Sequence, residues 1–350
     1  MPRVSVVVPV RNESAHIRRT LAGLADQSVP PDQYEILVVD GQSDDGTANI
    51  VRDVQASVPN LFLFENPRRL SSAARNVGVR ASHGEFVLIV DGHCEITDRD
   101  HLANVISAFD ASGADTLGRP QPLRTHSPTA FQRAVSAARQ SWLGHNPDSA
   151  IFSDRAGLVP PDNVAVAYRR EVFDRVGLFD ESFDACEDVE FNTRVRHAGM
   201  TCYFTPAIAV DYQPRASVRG LAFQMMRYGR GRARLAQKSP TTVTLPSLVP
   251  PLWVLWAALG AALAPLSASL ALVWAATVVL YLAVVLGESC RLGLRRRGPS
   301  LVRLPVVFAA VHVGFACGYW KELCAGLGRT GAAFFRLPIR QLAPPSRVRA

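Results

Sequence analysis

From Ser239 to Gly287 the chain carries no Asp, Glu, Lys or Arg, and a helix buried in a soluble core does not need so long a neutral run. At 1.5 Å per residue a helix crosses the hydrocarbon of a bilayer in about 20 residues, so the run fits two spans folded at Pro265-Leu266-Ser267. Residues 291 to 303 then carry five Arg, which the positive-inside rule assigns to the cytoplasmic side. Leu304 to Trp320 forms a third, shorter apolar segment with His312 and a Gly314-x-x-x-Gly318 spacing suited to close helix contact. Three full spans leave the C-terminus outside, yet the tail after Lys321 keeps Arg329, Arg336, Arg340, Arg347 and Arg349. Either the third segment is re-entrant or the tail departs from the charge rule.

Just ahead of the neutral run, residues 219 to 238 hold six basic side chains and no acid, interleaved with Leu221, Phe223, Met225, Met226, Tyr228 and Leu235. That composition suits a helix lying on an anionic bilayer surface. The net charge of +8 therefore points to a membrane and not to nucleic acid. Three parts follow: a domain over 1–215, a basic interfacial segment over 216–238, and a membrane region over 239–350 with two to three helices and a basic tail. The six Cys show no C-x-x-C and no paired spacing, which argues against a disulfide framework or a zinc cage. Met1-Pro2-Arg3 leads straight into a β-branched run without a leader pattern. The expectation is a multi-pass inner-membrane protein whose N-terminal domain faces the cytoplasm.

Within 1–215, Val4 to Val10, Tyr34 to Asp40, Leu61 to Phe64 and Phe86 to Asp91 read as strands. The first is a short β-branched run; the second and fourth lack polar alternation, as strands covered on both faces do. Helix patterns lie between them, to about Asp26, from Thr47 to Gln55 and from Ser71 to Ala81. This alternation predicts an α/β fold with a mostly parallel sheet and right-handed crossovers. Two strands end on acids, Asp40 and Asp91, and ligands of open α/β sheets bind beyond the carboxyl ends of strands. Phosphate-cradling glycine loops are absent: no G-x-G-x-x-G follows the first strand and no G-x-x-x-x-G-K occurs. Strand-end carboxylates suit phosphates that arrive with a divalent cation, although Asp-Gly is also ordinary turn chemistry.

VVVPVRNE (6–13), VVDGQSDDGT (38–47), AARNVGVRASHGEFVLIVDGHC (73–94) and VGLFDESFDACEDVEFNTRVRHAG (176–199) occur in the order and style of the family 2 glycosyltransferases with a GT-A fold, and the chain resembles that family over residues 4 to 210. DGHC, the RREVFDRVGLFD run and the membrane part are most similar to the succinoglycan-biosynthesis ExoA-type glucosyltransferases. The resemblance implies that Asp40 contacts the base or ribose of a nucleotide sugar, with Pro9 and Glu13 near by and Arg75 directed toward the nucleotide. By residue pattern alone Arg75 reads equally as a solvated helix charge, and Asp44 and Asp45 as loop or capping residues.

Asp91 and His93 stand where the family carries Asp-x-Asp, which implies a divalent metal held by a carboxylate and an imidazole. Imidazole suits Mn²⁺ better than Mg²⁺. Glu187 and Asp188 open a helix ending near Gly199, where acids also complement the helix dipole; the resemblance implies Asp188 as the general base. DNVAVAYRR (162–170) resembles the acceptor-side strand, with Val and Ala where relatives carry Gly. Gln224-x-x-Arg227-Tyr228 loosely resembles a diphosphate-contacting motif of processive relatives, and interfacial anchoring explains it as well.

The function these features imply is metal-assisted, inverting transfer of a sugar from a nucleoside-diphosphate sugar, UDP-hexose by resemblance. The implied acceptor is lipid-linked (polyprenyl type) or saccharide, in cell-envelope or exopolysaccharide synthesis. A metal-dependent nucleotidyltransferase is the alternative enzyme, disfavoured because Pro9 to Ser14 holds no Gly-rich, Lys-containing loop. A catalytically inactive membrane scaffold is the non-enzymatic one, disfavoured by the presence of Asp40, Asp91 and Asp188 together.

Overall fold

The computed structural model describes residues 1–125, 127–145, 149–295 and 301–334. Strands β1 (Val4–Val10), β2 (Tyr34–Asp40), β3 (Leu61–Glu65) and β4 (Phe86–Ile89) alternate with helices α1 (Ile17–Ala25), α2 (Thr47–Gln55) and α3 (Ser71–Ala81). The four strands lie parallel in the order β3-β2-β1-β4. Every residue of β1 and β2 is buried. Val4, Val6, Val8 and Val10 pack with Ile17, Leu21 and Leu24 of α1, whereas Val7 packs on the opposite side with Val79 of α3. Successive side chains thus enter two different hydrophobic layers, and no polar alternation remains.

The chain continues through β5 (Cys94–Glu95), α4 (His101–Ser112), β6 (Thr116–Gly118), α5 (Ala130–Arg139), β7 (Gly157–Leu158), β8 (Ala165–Arg169), α6 (Arg170–Val176), α7 (Glu187–His197), β9 (Cys202–Phe204) and β10 (Asp211–Tyr212). Strand β8 runs antiparallel to both β4 and β6, so the parallel half of the sheet is followed by a mixed half. The β1–β4 ladder stops at Val7–Ile89. The fourth strand therefore ends before Asp91, and residues 90 to 93 leave the sheet where strand order reverses, the place at which α/β sheets open a ligand crevice.

Four long helices follow among the described residues: α8 (Val218–Lys238), α9 (Leu245–Leu263), α10 (Ala268–Arg295) and α11 (Arg303–Phe334). Among the described residues three stretches, Leu245–Leu266, Ala268–Leu294 and Arg303–Gly326, are long and apolar enough to cross a membrane. The first two turn at residues 264 to 266 and leave most of their surface uncovered. The third is 56% buried, because α11 packs along α8 and α5. A Cβ on Gly318 would collide with the Met226 carbonyl, and one on Gly229 with the Phe315 carbonyl. The predicted small-residue contact is thus made against α8.

Helix α11 also runs past Trp320, where the apolar pattern ends. Glu322, 1% exposed, meets Arg230 at 3.4 Å and Arg234 at 2.9 Å, so its charge is matched inside the fold. Within residues 216–238, at least four of the six cations also have protein partners. Arg227, Arg230, Arg234 and Lys238 engage the Asp184 carbonyl, Asp184, Glu322, Asp180 and Glu190, and their charges are directed at protein. Phe223 stays exposed. Arg296 and Arg297 of the basic loop, and Arg336, Arg340, Arg347 and Arg349 of the tail, lie outside the described residues.

Candidate active site

Three loops at the carboxyl ends of β1, β2 and β4 build one side of the crevice. Asp40 is 6% exposed; its carboxylate accepts the Ser43 N–H at 3.1 Å and the Ser43 hydroxyl at 2.5 Å. Pro9 is buried in β1 beside Val39. Asn12 and Gln42 adopt left-handed backbone at φ 57° and 56°, as do Arg69 (60°) and Cys186 (61°). For residues other than Gly this conformation costs about 1 kcal/mol or more. All four sit in loops that border the strand ends or lead into α7. The strain is concentrated where the chain must bend toward the crevice.

Asp44 and Asp45 clamp these loops together. Asn12 Oδ1 accepts the Asp44 N–H, and Asp45 accepts N–H groups from Ser14 and Thr47. Burial opposes the Asp45 charge, but these bonds and the Thr47 hydroxyl hold its carboxyl below the usual range.

Asp91-Gly92-His93 turns sharply under β1. A Cβ at Gly92 would come within 2.5 Å of Val10 Cγ1, which explains the small residue between the two donors. Glu13 accepts from His93 Nδ1 at 2.9 Å, and the Tyr212 ring meets the imidazole edge-on at 4.7 Å. The other nitrogen, Nε2, is buried without a hydrogen-bond partner among the described residues. A ring oriented by a carboxylate through Nδ1, with the lone pair on Nε2 unused, has the chemistry a metal ligand requires. No cluster of three or more His, Cys, Asp or Glu suited to a metal occurs among the described residues. Asp91 and His93 alone would not fill the coordination shell of a divalent cation.

Arg75 links this loop to the far side. It is 8% exposed, not solvated, and its guanidinium lies 3.3 Å from Glu187 and 3.5 Å from Asp91. Phe179 stacks beneath it at 5.5 Å. Burial works against the charge, but Glu187, Asp91 and Asp188 together hold the group above its ordinary value. Helix α7 thus presents both acids at its first turn, with Glu187 turned inward as the counter-ion. Asp188 is half-buried, and its Oδ1 accepts only its own helix's Val189 N–H at 2.9 Å among the described residues.

Gln224 reaches Tyr212 and Tyr228 hydroxyls at 3.4 and 3.3 Å, one residue away from His93. Arg227 points instead to the Asp184 carbonyl. The sequence reading missed Glu187 as the Arg75 partner, Tyr212 as the wall behind His93, and Arg119. Arg119 is 2% exposed, lies 3.5 Å from the Ile89 carbonyl, and supports the strand end from below. Only the length of the intervening loops hides these pairings; each residue type is visible in the sequence.

The glycosyl transferase family 2 model matches residues 5–177, which takes in Asp40, Arg75, Asp91 and His93 and stops before α7. The succinoglycan biosynthesis protein ExoA of Rhizobium meliloti (strain 1021) is 30% identical over 322 residues, covering 91% of this chain and 94% of that protein. A dolichyl N-acetyl-alpha-D-glucosaminyl phosphate 3-beta-D-2,3-diacetamido-2,3-dideoxy-beta-D-glucuronosyltransferase of Methanococcus voltae is 23% identical over 332 residues, covering 92% of this chain and 98% of that protein. Among solved structures, the mannosyltransferase PcManGT from Pyrobaculum calidifontis in complex with GDP-Man and Mn²⁺ matches with a TM-score of 0.62 at 23% identity, over 92% of this chain and 87% of that one. The likeness to PcManGT is one of fold.

Proposed function

The chain belongs to glycosyl transferase family 2, and from that premise we propose that it inverts the anomeric centre of a nucleoside-diphosphate hexose while transferring it to a lipid-linked acceptor at a membrane surface. It is a glycosyltransferase of nucleotide sugars in polysaccharide or lipid-linked synthesis, with a GT-A-like fold and apolar C-terminal helices long enough to span a membrane. The observation that carries the finer reading is Arg75, which draws the donor-side Asp91 and the acceptor-side α7 to one point.

In this reading Asp40 receives the nucleoside, with Pro9 and Glu13 shaping the loop around it. Asp188 takes the proton from the attacking acceptor hydroxyl as its oxygen bonds to the anomeric carbon. The bond from that carbon to the diphosphate breaks on the opposite face, so one base suffices and no covalent nucleophile is needed. Asp91 and His93 would hold Mn²⁺ or Mg²⁺, which supplies Lewis-acid neutralisation of the leaving diphosphate; the imidazole favours Mn²⁺. Glu13 fixes the imidazole, and Arg75 keeps positive charge beside both carboxylates. UDP is the nucleotide implied by resemblance to the ExoA-type enzymes.

A lipid-linked acceptor is supported by the packing of α8 and α11 against the catalytic domain, and by the M. voltae relative, whose name carries a dolichyl phosphate substrate. The Arg-rich segment after α10 supports a cytoplasmic-facing domain in the inner membrane. The test is turnover of UDP- and GDP-sugars by the full-length protein in membranes with Mn²⁺. Sugar appearing in the lipid or glycan fraction supports the reading. Folded, nucleotide-binding protein that moves a nucleotidyl group and no sugar overturns it.

A further inference from the structure

On the bilayer side of the Asp91 loop lies a cavity of about 60 Å³, to which the reaction just described gives no role. Its polar walls include Arg139 of α5, Arg215, His145, Tyr212, Gln224 and Tyr228, and among the described residues no Asp or Glu lines it. Arg139 donates to the Gly144 carbonyl at 3.1 Å and lies 3.5 Å from Met225 Sδ, neither of which balances its charge. Burial pushes its guanidinium down from the ordinary value, against a weaker opposing pull from Tyr228 and Tyr212. Arg215 Nε and His145 Nε2 are buried without partners among the described residues. Arg75, Arg230 and Arg234 are matched by carboxylates. A partly buried cation with no carboxylate partner among the described residues is costly to hold away from water, and Arg139 and Arg215, both half-buried, amount to a preformed anion site around this donor-lined space.

The position of the cavity narrows the anion. Val135 and Leu221 in its wall belong to the same apolar cluster as Val285 of α10 and Phe308 of α11, so one side continues into the membrane helices. On the other side the Tyr212 ring separates it from His93. The Tyr228 carbonyl lies 3.8 Å from Sγ of Cys186, the residue before Glu187 and Asp188. A group bound here stands between the lipid-facing helices and the proposed base. The space holds several waters, or one phosphate.

We propose that this cavity binds the phosphate group of the lipid-linked acceptor, with Arg139 and Arg215 supplying charge and Tyr212, Gln224 and Tyr228 neutral contacts. It rests on the transferase reading and extends it: the acceptor is recognised by its phosphate as well as by its sugar hydroxyl. Held at Arg139 and Arg215, the phosphate fixes the distance from the bilayer at which the hydroxyl meets Asp188. The neutral polar residues then select for a phosphate ester against a free alcohol.

The experiment uses full-length protein in phosphatidylcholine nanodiscs, titrated separately with farnesyl phosphate, farnesol, inorganic phosphate and phosphatidylglycerol. UDP and GDP, each with Mn²⁺, are titrated on the same samples. Farnesyl phosphate is expected to bind saturably and more tightly than the other three. Arg139→Gln and Arg215→Gln should each weaken it by roughly tenfold or more, Arg139→Lys should recover part of the loss, and nucleotide affinity should not move. Farnesol binding as tightly as its phosphate, equal binding by the variants, or inorganic phosphate or phosphatidylglycerol matching the isoprenoid phosphate overturns the proposal. So does a proportional loss of nucleotide binding, which would place these arginines at the donor. Wild-type protein that binds farnesyl phosphate but neither nucleotide sinks the transferase reading separately.

Discussion

The Arg75 guanidinium and the Glu187 carboxylate meet at 3.3 Å, both nearly excluded from water, and this contact ties α3 under the donor loops to the helix that carries Asp188. Removing one member of a buried pair leaves the other charge uncompensated, at a cost of about 3–5 kcal/mol. Arg75→Leu is therefore expected to lower the thermal midpoint sharply. The Arg75→Leu/Glu187→Leu double variant should regain most of that stability yet stay inactive, because Asp91 also loses its cation. A double variant as unstable as the single one would mean that the pair is not the source of the cost.

Asp188→Asn keeps the shape and the helix-start position but cannot accept a proton. General-base catalysis typically contributes about 10²- to 10⁴-fold, so transfer should fall by that order while nucleotide affinity stays within a few-fold of wild type. Near wild-type turnover by the folded variant would free Asp188 of the role and pass it to Glu187. That outcome would conflict with the inward, Arg-paired setting of Glu187.

The strand ends at this site were readable from sequence because their pattern is local. Asp40 and Asp91 follow runs that enter two hydrophobic layers, so the carboxylates at the strand ends stand out in the sequence. Helices Thr47–Gln55 and Ser71–Ala81 have the boundaries read from the pattern. Arg75 was ambiguous for the opposite reason: helical spacing says which face it shares, not that a distant Glu187 waits opposite. The basic stretch before the membrane region has the same limit. Its composition suits a lipid-facing surface, and it does not reveal that Asp184, Glu322 and Glu190 meet Arg230, Arg234 and Lys238 from a loop and two other helices. Composition records charge; only the fold records its partner.

The α8–α11 crossing has no room for side chains at its closest points. Gly318→Ala places a methyl on the Met226 carbonyl, where backbone must shift, and overpacking of this kind costs about 1–3 kcal/mol. Gly287→Ala, on α10 with nothing within 4 Å of the added carbon, is the matched control and should be neutral. Melting of the two variants in the same detergent checks this. Equal midpoints would mean that the crossing is loose enough to absorb the methyl.

The last expectation concerns acid. His101 is fully buried at the start of α4, and neither ring nitrogen has a hydrogen-bond partner among the described residues. Burial first, then the Arg119 charge, pushes its pKa down to about 3, against roughly 6.5 in an unfolded chain. Between those values the unfolded state binds a proton that the native state refuses, so stability falls as pH falls. The contribution is intact above about pH 6.5 and erodes by roughly 1.4 kcal/mol per pH unit down to about pH 3. His101→Leu removes the titration without breaking a hydrogen bond. The stability difference between wild type and variant should shift in the variant's favour by about 2 kcal/mol on going from pH 7 to pH 5. His145, whose pKa burial also pushes down to about 3, acts on both proteins alike and cancels. Parallel stability curves from pH 7 to pH 5 would show that His101 finds a partner for its proton.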